Sequence, residues 1–357
     1  MLFRSKKFLE LSDDDILAAM QQLSARAPEC IQVRSVQSRN AAFALVPSQP
    51  QAELQCKTFN GRISMPWRIT SFSGFISGRV HEAEVQERDI DAHVVDPGLP
   101  VTALPGALSL PPGANTGTML HAILERCAFA RRRDQGLDTL VDETLALYQF
   151  ESFWRDVVAD MVCRAATQLL PGLDGAFCLA DLDASARVPE LAFHMPLKRI
   201  APQSLQALFA GHQTAPVPDG FADSLGRLTF APVHGFLRGF IDCVLQHKGR
   251  FYLIDWKSNL LGMDPESYHR EQLGAVMARD YYVLQYHLYA LALHTWLERR
   301  MPNYSYNEHF GGVFYVFLRG LQPDGNPDYG VFYDRPKHGF ISTMARALLD
   351  TGAEHAH

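Results

Sequence analysis

The order and spacing of apolar residues along the chain predict an α/β fold, in which a mixed sheet is flanked by helices. Three observations lead to this prediction. Helical spacing dominates from Thr116 to Leu170, an apolar hairpin turns at Lys248–Gly249, and the long helical stretch Glu271–Arg300 is followed by an apolar strand. The chain has 357 residues, of which 47% are hydrophobic, so it can bury a sizeable core.

The sequence pattern divides the chain into three regions. Residues 1–66 are weakly patterned and predict an appendage or the tail of an upstream region, although Asp13–Ala25 has the spacing of a short helix that Ser12 can cap. Residues 67–115 lead into the domain and end in a stretch rich in proline and glycine, which is typical of a linker. The periodicity then sharpens, so we expect the main domain to cover residues 116–357.

Within that domain the pattern changes from helical to mixed. Apolar residues three and four apart predict helices, the first of them capped by Asn115 or Thr116, at Thr116–Arg131, Leu137–Tyr148 and Phe150–Leu170. After Pro189 the period shortens, and strands are predicted at Glu190–Leu197, Phe236–Gln246, Phe251–Lys257 and Gly312–Leu318.

Composition and motifs exclude several classes of protein. The net charge is -6, so nucleic acid would have to be held by a local groove or with another subunit, not by bulk positive charge. No apolar run is long enough to span a membrane, and the first residues lack a signal-peptide core, so we expect a cytoplasmic protein. The six cysteines form no CxxC pair, which argues against disulfides, zinc and an iron–sulfur cluster. The P-loop motif is missing, so no ATP site is expected.

The hairpin itself predicts a pair of facing carboxylates. If its turn is centred between Lys248 and Gly249, Asp242 and Asp255 lie directly opposite each other, about 4.5–5.5 Å apart at Cβ. Two carboxylates in apolar strands repel each other and lose hydration, so a positive group must compensate. Lys257, two residues after Asp255, is one candidate. A divalent cation is the other, since Mg²⁺ prefers carboxylate oxygens and retains water that can attack a substrate.

A purely structural explanation of these residues stays open. An Asp-x-Lys sequence is commonly a buried ion pair, and the second aspartate could sit at a sheet edge. The facing pair together with Lys257 favours a functional site over that alternative.

Other polar residues carry weaker signals. His121 and Glu125 are four apart on one predicted helix, and Gln285 and Tyr289 share a face of the long helix. Glu190 opens a strand. Taken alone, each is explained by an ordinary amphipathic helix or an exposed strand end.

Taken together, these segments resemble the nuclease domain of the RecB family, within the PD-(D/E)xK superfamily and its restriction-endonuclease-like core. The resemblance covers about residues 67–335, and it is specific because all pieces occur in one order. The segments that carry it are Trp67–Gly74, Gly117–Glu125, Gly239–Asp242, Ile254–Asn259, Leu284–Tyr289 and His309–Gly320.

The resemblance implies a role for each matching residue. His121, Asp242 and Asp255 would be metal ligands, with the backbone carbonyl of Trp256 as a fourth. Lys257 would be the catalytic lysine beside Asp242 and Asp255. The supporting positions would be Gln285, Tyr289, Glu125 and Glu190. The expected cofactor is Mg²⁺, and the histidine ligand means that Mn²⁺ or Ca²⁺ could also fit.

The implied activity is hydrolysis of phosphodiester bonds in DNA, as in helicase–nucleases that serve double-strand break repair and recombination. The implied partners are DNA, RecC- and RecD-like subunits and the helicase part of the same subunit, with no membrane. This sequence contains no helicase motor, so we expect a fragment, a split gene product or a stand-alone relative, with residues 1–66 as the tail of a helicase region.

Two alternatives to that activity remain at this point. One is a non-catalytic module with a nuclease fold that docks partner proteins, although a degraded motif would be expected there. The other is a stand-alone exonuclease of the CRISPR-adaptation type, which usually brings cysteines for an iron–sulfur cluster.

Overall fold

A computed structural model describes residues 12–34, 67–77, 106–212 and 218–350 of the chain. The chain divides into two compact units, Met1–Ile63 and Ser64–His357. In the first unit, helix α1 (Asp13–Arg26) begins as predicted at Ser12, whose side chain accepts a hydrogen bond from the backbone N–H of Asp15. The Asp15 carboxylate in turn accepts from the N–H of Ser12, which completes a capping box.

The second unit opens with a short strand and a layer of helices. Its first elements are β1 (Arg68–Thr70), α2 (Phe72–Ser77), α3 (Ala114–Arg126), α4 (Gln135–Leu147) and α5 (Arg155–Thr167). The three predicted helices of this region are therefore confirmed, with bounds that differ by a few residues. The last of them was predicted to begin at Phe150, but a separate 3-10 turn at Ser152–Trp154 precedes it.

The predicted cap of α3 is wrong. Gly113 is the N-cap residue, with φ of 127°, and makes no side-chain capping bond. The two candidate side chains are used elsewhere: the Thr116 hydroxyl donates to the carbonyl of Pro111, and the Asn115 amide donates to the carbonyl of Tyr148. Both residues lie inside the first turn, where they tie the helix to its neighbours.

The central hairpin follows two shorter helices. The elements in this part are β2 (Arg187–Ile200), α6 (Pro202–Ala210), α7 (Phe221–Gly226), β3 (Val233–His247) and β4 (Arg250–Lys257). β3 and β4 pair antiparallel from His247–Arg250 to Cys243–Ile254. Lys248 and Gly249 both have positive φ and form the two-residue turn. This confirms the predicted centre of the turn and its register.

The last third of the domain completes the sheet. It contains α8 (Arg270–Arg279), α9 (Tyr282–Arg300), α10 (Tyr306–His309), β5 (Phe310–Phe317), β6 (Val331–Asp334) and α11 (His338–Leu348). A single helix over Glu271–Arg300 was predicted, and this is wrong. The stretch breaks at Tyr281, a residue with φ of 58°, so that α9 starts in a new direction. Periodicity continues across such a break, which is why the sequence pattern missed it.

The six strands of the described residues form one mixed sheet. The mixed sheet was predicted, but β1 and β6 were not among the predicted strands. The order β1-β3-β4-β5-β6 describes one path through it, and β2 also pairs with β3. The β4–β5 and β1–β3 pairs are parallel, and the others are antiparallel. β2 occupies one edge of β3 along its length, so β1 and β4 share the other edge: β1 meets Gly235–Leu237, and β4 meets Cys243–His247.

Hydrophobic cores cover both faces of the sheet. Along β4, Leu253 belongs to one core together with much of α9, whereas Tyr252 and Ile254 belong to the other together with α3, α4 and α5. β5 is buried over its whole length, which is why its sequence is an unbroken apolar run. No helix among the described residues is long and apolar enough to cross a membrane.

Candidate active site

The polar residues of interest gather where β4 separates from β3. The backbone pairing of the two strands ends at Cys243–Ile254, one pair before Asp242 and Asp255. Asp242 instead uses its side chain: its Oδ2 accepts the backbone N–H of Trp256 at 2.8 Å. Where the two strands pair, backbone carbonyls accept such hydrogen bonds; here the Asp242 carboxylate accepts instead. The carboxylate therefore lies beside the open end of β4, by which we mean the end that no longer pairs with β3.

Helix α3 brings His121 to the same point from one face of the sheet. The His121 ring is buried, with Nε2 3.0 Å from the carbonyl oxygen of Trp256 and Nδ1 3.4 Å from Oδ1 of Asp242. His121 thus contacts two of the three other groups expected to bind a metal, the Asp242 carboxylate and the Trp256 carbonyl. An imidazole nitrogen, a carboxylate and a backbone carbonyl are a donor set that suits a divalent cation.

The surroundings of Asp242 favour its ionised form. Burial raises the pKa of this carboxyl, but the His121 ring, the Lys257 ammonium and the Trp256 N–H together outweigh that effect, so its pKa lies below the usual value. A carboxylate that stays ionised at neutral pH can serve as a ligand.

Asp255 and Lys257 form a buried ion pair on β4. Lys257 Nζ lies 2.7 Å from Oδ1 of Asp255, and each residue is only 5% exposed. The ammonium also lies 4.1 Å from the ring centre of Tyr282 and 5.4 Å from that of Tyr315. Two aromatic rings and one carboxylate therefore compensate the charge of Lys257 in place of bulk water.

The two supporting residues on α9 connect to this pair through Tyr315. Gln285 accepts a hydrogen bond from the Tyr315 hydroxyl at 2.9 Å and donates to the Tyr289 hydroxyl at 3.2 Å. Tyr315 stands opposite Asp255 in the parallel β4–β5 register. Gln285 and Tyr289 thus brace a ring that packs against Lys257.

The two glutamates have different positions. Glu125 is exposed on α3, one turn beyond the buried His121. Glu190 is half-buried and has φ of 47°. It sits between the pairs Pro189–Cys243 and Leu191–Ile241, so it lies opposite Asp242 on the neighbouring strand. Only Glu190 is therefore next to a residue of the proposed centre in the strand register.

The sequence did not predict the role of Arg319, which connects the segment after β4 to the segment before α3. It is 3% exposed and donates hydrogen bonds to four backbone carbonyls, those of Ser258, Ala107, Leu110 and Pro111. Burial lowers its pKa to about 10, so it is still charged at neutral pH. The arginine ties the end of β4 to the loop that leads into α3. Its signal in the sequence is a lone charge directly after the apolar β5 run.

The donors at the end of β4 fit a divalent cation in their chemistry. Two ligands about 2.1 Å from one Mg²⁺ and at right angles lie about 3.0 Å apart, which is the separation of His121 Nε2 and the Trp256 oxygen. Asp255 is engaged by Lys257 instead. Accordingly, within residues 12–34, 67–77, 106–212 and 218–350, no three His, Cys, Asp or Glu side chains already form a closed metal-binding group.

The family model of the PD-(D/E)XK nuclease superfamily matches residues 103–355, most of the chain. The chain belongs to the PD-(D/E)XK nuclease superfamily. This confirms the family predicted from the sequence and its mixed sheet with flanking helices.

Within the PD-(D/E)XK nucleases, the chain is similar to proteins named RecBCD enzyme subunit RecB. It is 36% identical to the one from Escherichia coli (strain K12) over 309 residues, which cover 85% of this chain and 25% of the relative. It is 28% identical to that of Haemophilus influenzae over 355 residues, 95% of this chain and 28% of the relative. It is 30% identical to that of Mycolicibacterium smegmatis over 377 residues, which cover 96% of this chain and 34% of the relative. The chain thus spans about a quarter to a third of the length of these relatives.

Proposed function

We propose that this chain is a Mg²⁺-dependent deoxyribonuclease of the exodeoxyribonuclease V type, the nuclease part of a RecBCD-type helicase–nuclease. Its role would be in double-strand break repair and recombination. One observation carries the proposal: His121, Asp242 and the Trp256 carbonyl meet at the end of β4. The Asp255–Lys257 pair flanks Trp256 on the same strand. The similarity to RecB subunits supports it.

In this proposal each side chain has a distinct task. His121, Asp242, Asp255 and the Trp256 carbonyl would hold the cation, which supplies Lewis-acid polarisation of the scissile phosphate when bound. Lys257 would place its ammonium next to the negative charge that builds on the phosphate oxygens during hydrolysis. The rings of Tyr282 and Tyr315 limit the positions open to Lys257, so its charge is oriented before substrate arrives.

The same proposal includes partners. Because the relatives are RecBCD subunits and extend well beyond this chain, we infer that RecC- and RecD-like subunits and a helicase portion deliver the DNA strand to this domain. The net charge of -6 supports delivery, since a domain that captured DNA alone would be expected to be basic.

The test is a cleavage assay on labelled single- and double-stranded DNA, with and without Mg²⁺. Asp242→Asn and Lys257→Ala should reduce cleavage by at least about 100-fold. Matched controls exist in an exposed cluster, where Asp174 pairs with Arg250 and its backbone carbonyl accepts from Lys248. Asp174→Asn and Lys248→Ala should cut like the wild type.

The outcomes separate the alternatives. Cleavage that survives Asp242→Asn and Lys257→Ala would show that the centre lies elsewhere. Absence of cleavage by the wild type, alone and with added RecC- and RecD-like subunits, would favour a docking module that keeps only the fold.

A further inference from the structure

One face of β3 carries a half-exposed row of side chains that leads to Asp242. Along this strand, odd-numbered residues from Val233 to Cys243 are buried, and the even-numbered ones between them are half-buried or exposed. The even positions are His234, Phe236, Arg238, Phe240 and Asp242. The alternation follows from the two-residue period of a strand, so these five share one face.

The short strand β1 extends this row sideways. It pairs in parallel with β3 so that Ile69 stands beside Phe236. The Trp67 ring lies 5.1 Å from the His234 ring and 5.7 Å from the Phe236 ring. Trp67 is 51% exposed and Ile69 is 63% exposed, large values for such apolar side chains. We call Trp67, Phe236, Arg238 and Phe240 the aromatic strip.

Charge and ring chemistry indicate what this surface can bind. Arg238 is exposed, and its guanidinium carbon lies 5.2 Å from the ring centre of Phe240. Aromatic rings on which bases can stack, with a cation nearby that can pair with a phosphate, are the groups by which proteins hold a single strand of nucleic acid. A purely apolar protein partner would leave that guanidinium buried without a counter-charge. At the far end of the row, the Asp350 carboxylate lies 3.8 Å from the His234 ring.

Spacing agrees with the same ligand. Alternate residues of a strand are about 6.8 Å apart, twice the rise of about 3.4 Å per nucleotide in B-form DNA. A single strand stretched to twice that rise would advance one nucleotide per even-numbered residue. A base stacked on Phe240 would have its neighbouring phosphate at Asp242, one step further along the same face.

We propose that the aromatic strip is the track on which a single DNA strand stacks as it enters the nuclease centre. This inference rests on the proposed function for the direction of the track, because the strip ends at Asp242. A duplex hides its base faces, so only an unpaired strand can stack on Phe236 and Phe240.

The test measures binding without cleavage. A fluorescein-labelled oligo(dT) is titrated with the full chain in the presence of a chelator, and its anisotropy gives the Kd. We expect Phe236→Ala and Phe240→Ala each to weaken binding roughly five-fold or more. Phe240→Tyr keeps a stacking ring and should restore most of the affinity. Arg238→Gln should make the dependence of log Kd on log salt shallower by about 0.7.

A matched control is Phe153→Ala, which removes a phenylalanine that is 68% exposed on the 3-10 turn before α5. It should bind like the wild type. Equal affinity for wild type, Phe236→Ala and Phe240→Ala would overturn the proposal. A loss of affinity in Phe153→Ala as large as in the strip variants would also overturn it, and so would a wild type that does not bind oligo(dT). So would a duplex that binds as tightly as oligo(dT) and responds in the same way to the strip variants.

The two proposals can fail separately. A chain that binds oligo(dT) through the strip but never cleaves it would contradict the nuclease assignment and leave the track intact. A chain that cleaves DNA while the strip variants bind normally would contradict the track alone.

Discussion

The Nε2 atom of His121 lies 3.0 Å from the carbonyl oxygen of Trp256, a residue 135 positions further along the chain. This contact joins α3, which belongs to the core on one face of the sheet, to the open end of β4. A neutral imidazole that donates to a carbonyl must give up that hydrogen bond before the same nitrogen can bind a metal. When a metal binds, the hydrogen bond between His121 and the Trp256 carbonyl would therefore be replaced by a cation that both groups contact.

From this relationship we predict that His121→Ala weakens binding of Mn²⁺, used as a probe, by at least about ten-fold. In the proposed site the variant would lack one ligand, and it also lacks the contact between α3 and Trp256. Titration calorimetry on the DNA-free protein measures the effect. His269→Ala, which removes a half-buried histidine beside Glu271, should leave the affinity unchanged. Unaltered Mn²⁺ affinity in His121→Ala would remove histidine from the ligand set.

Removal of the Lys257 ammonium should affect stability as well as activity. Lys257→Met leaves Asp255 buried without its 2.7 Å partner, and loss of one member of a buried pair typically costs about 3–5 kcal/mol. We predict a lower free energy of unfolding in chelator, measured with urea. Because a divalent cation can replace the lost positive charge, Mg²⁺ should raise the melting temperature more in this variant than in the wild type.

The double variant Asp255→Asn with Lys257→Met provides the check. It removes both charges, so it should be more stable in chelator than Lys257→Met alone. If the double variant is less stable than Lys257→Met, the destabilisation by Lys257→Met does not come from the unpaired charge of Asp255.

The hydrogen bonds from Arg319 to backbone carbonyls predict that one substitution at this position lowers the free energy of unfolding substantially. Arg319→Met would remove a donor from four backbone carbonyls, of which the contacts to Ser258 and Leu110 are buried, and we expect a cost of roughly 2–4 kcal/mol in urea unfolding. Arg270→Met, which breaks an exposed ion pair with Asp328, should cost less than about 1 kcal/mol. Equal losses in the two variants would show that the carbonyl contacts contribute little.

Stability should also depend on pH through His287. This ring is fully buried on α9, and its Nδ1 lies 2.7 Å from the carbonyl of Val283. Burial, reinforced by His212 and partly offset by the Val283 bond, lowers the pKa of His287 to about 3. In the unfolded chain the histidine takes up a proton near its usual pKa of about 6.5. The unfolded state therefore binds more protons below that pH, and the free energy of unfolding falls as pH falls from about 6.5 toward 3.

Between pH 7 and pH 5 this group should account for about 2 kcal/mol of the loss. Urea unfolding at the two pH values measures it, and His287→Leu should reduce the difference by that amount. His194→Gln, at an exposed position, should leave the difference as it is. A pH dependence that His287→Leu does not change would show that another group is responsible.

The sequence predicted the hairpin well because its register depends on local chemistry. A turn at Lys248–Gly249 fixes every pair on both strands, and apolar residues on both sides leave no other register. The sequence could not show that the pairing stops at Cys243–Ile254. Beyond that end point it is the side chain of Asp242 that binds the Trp256 N–H, a contact that the alternation of apolar residues does not record.

Contacts between distant elements were outside what periodicity can predict. His121 has the spacing of an ordinary helix residue, and only the family resemblance marked it out. The break at Tyr281 was missed because apolar residues continue at helical spacing on both sides of it. Arg319 acts through backbone carbonyls of residues about two hundred positions away, which no local pattern records.

The left-handed backbone at Tyr281 fixes where α9 begins, and so fixes the direction in which each of its side chains points. A helix turns about 100° per residue, so inserting or deleting one residue between Tyr281 and Gln285 would swing the Gln285 amide away from the Tyr315 hydroxyl. The ring beside Lys257 would then lose its brace, although the composition of the helix would be almost unchanged. The residue count over this first turn of α9 is therefore constrained independently of its composition.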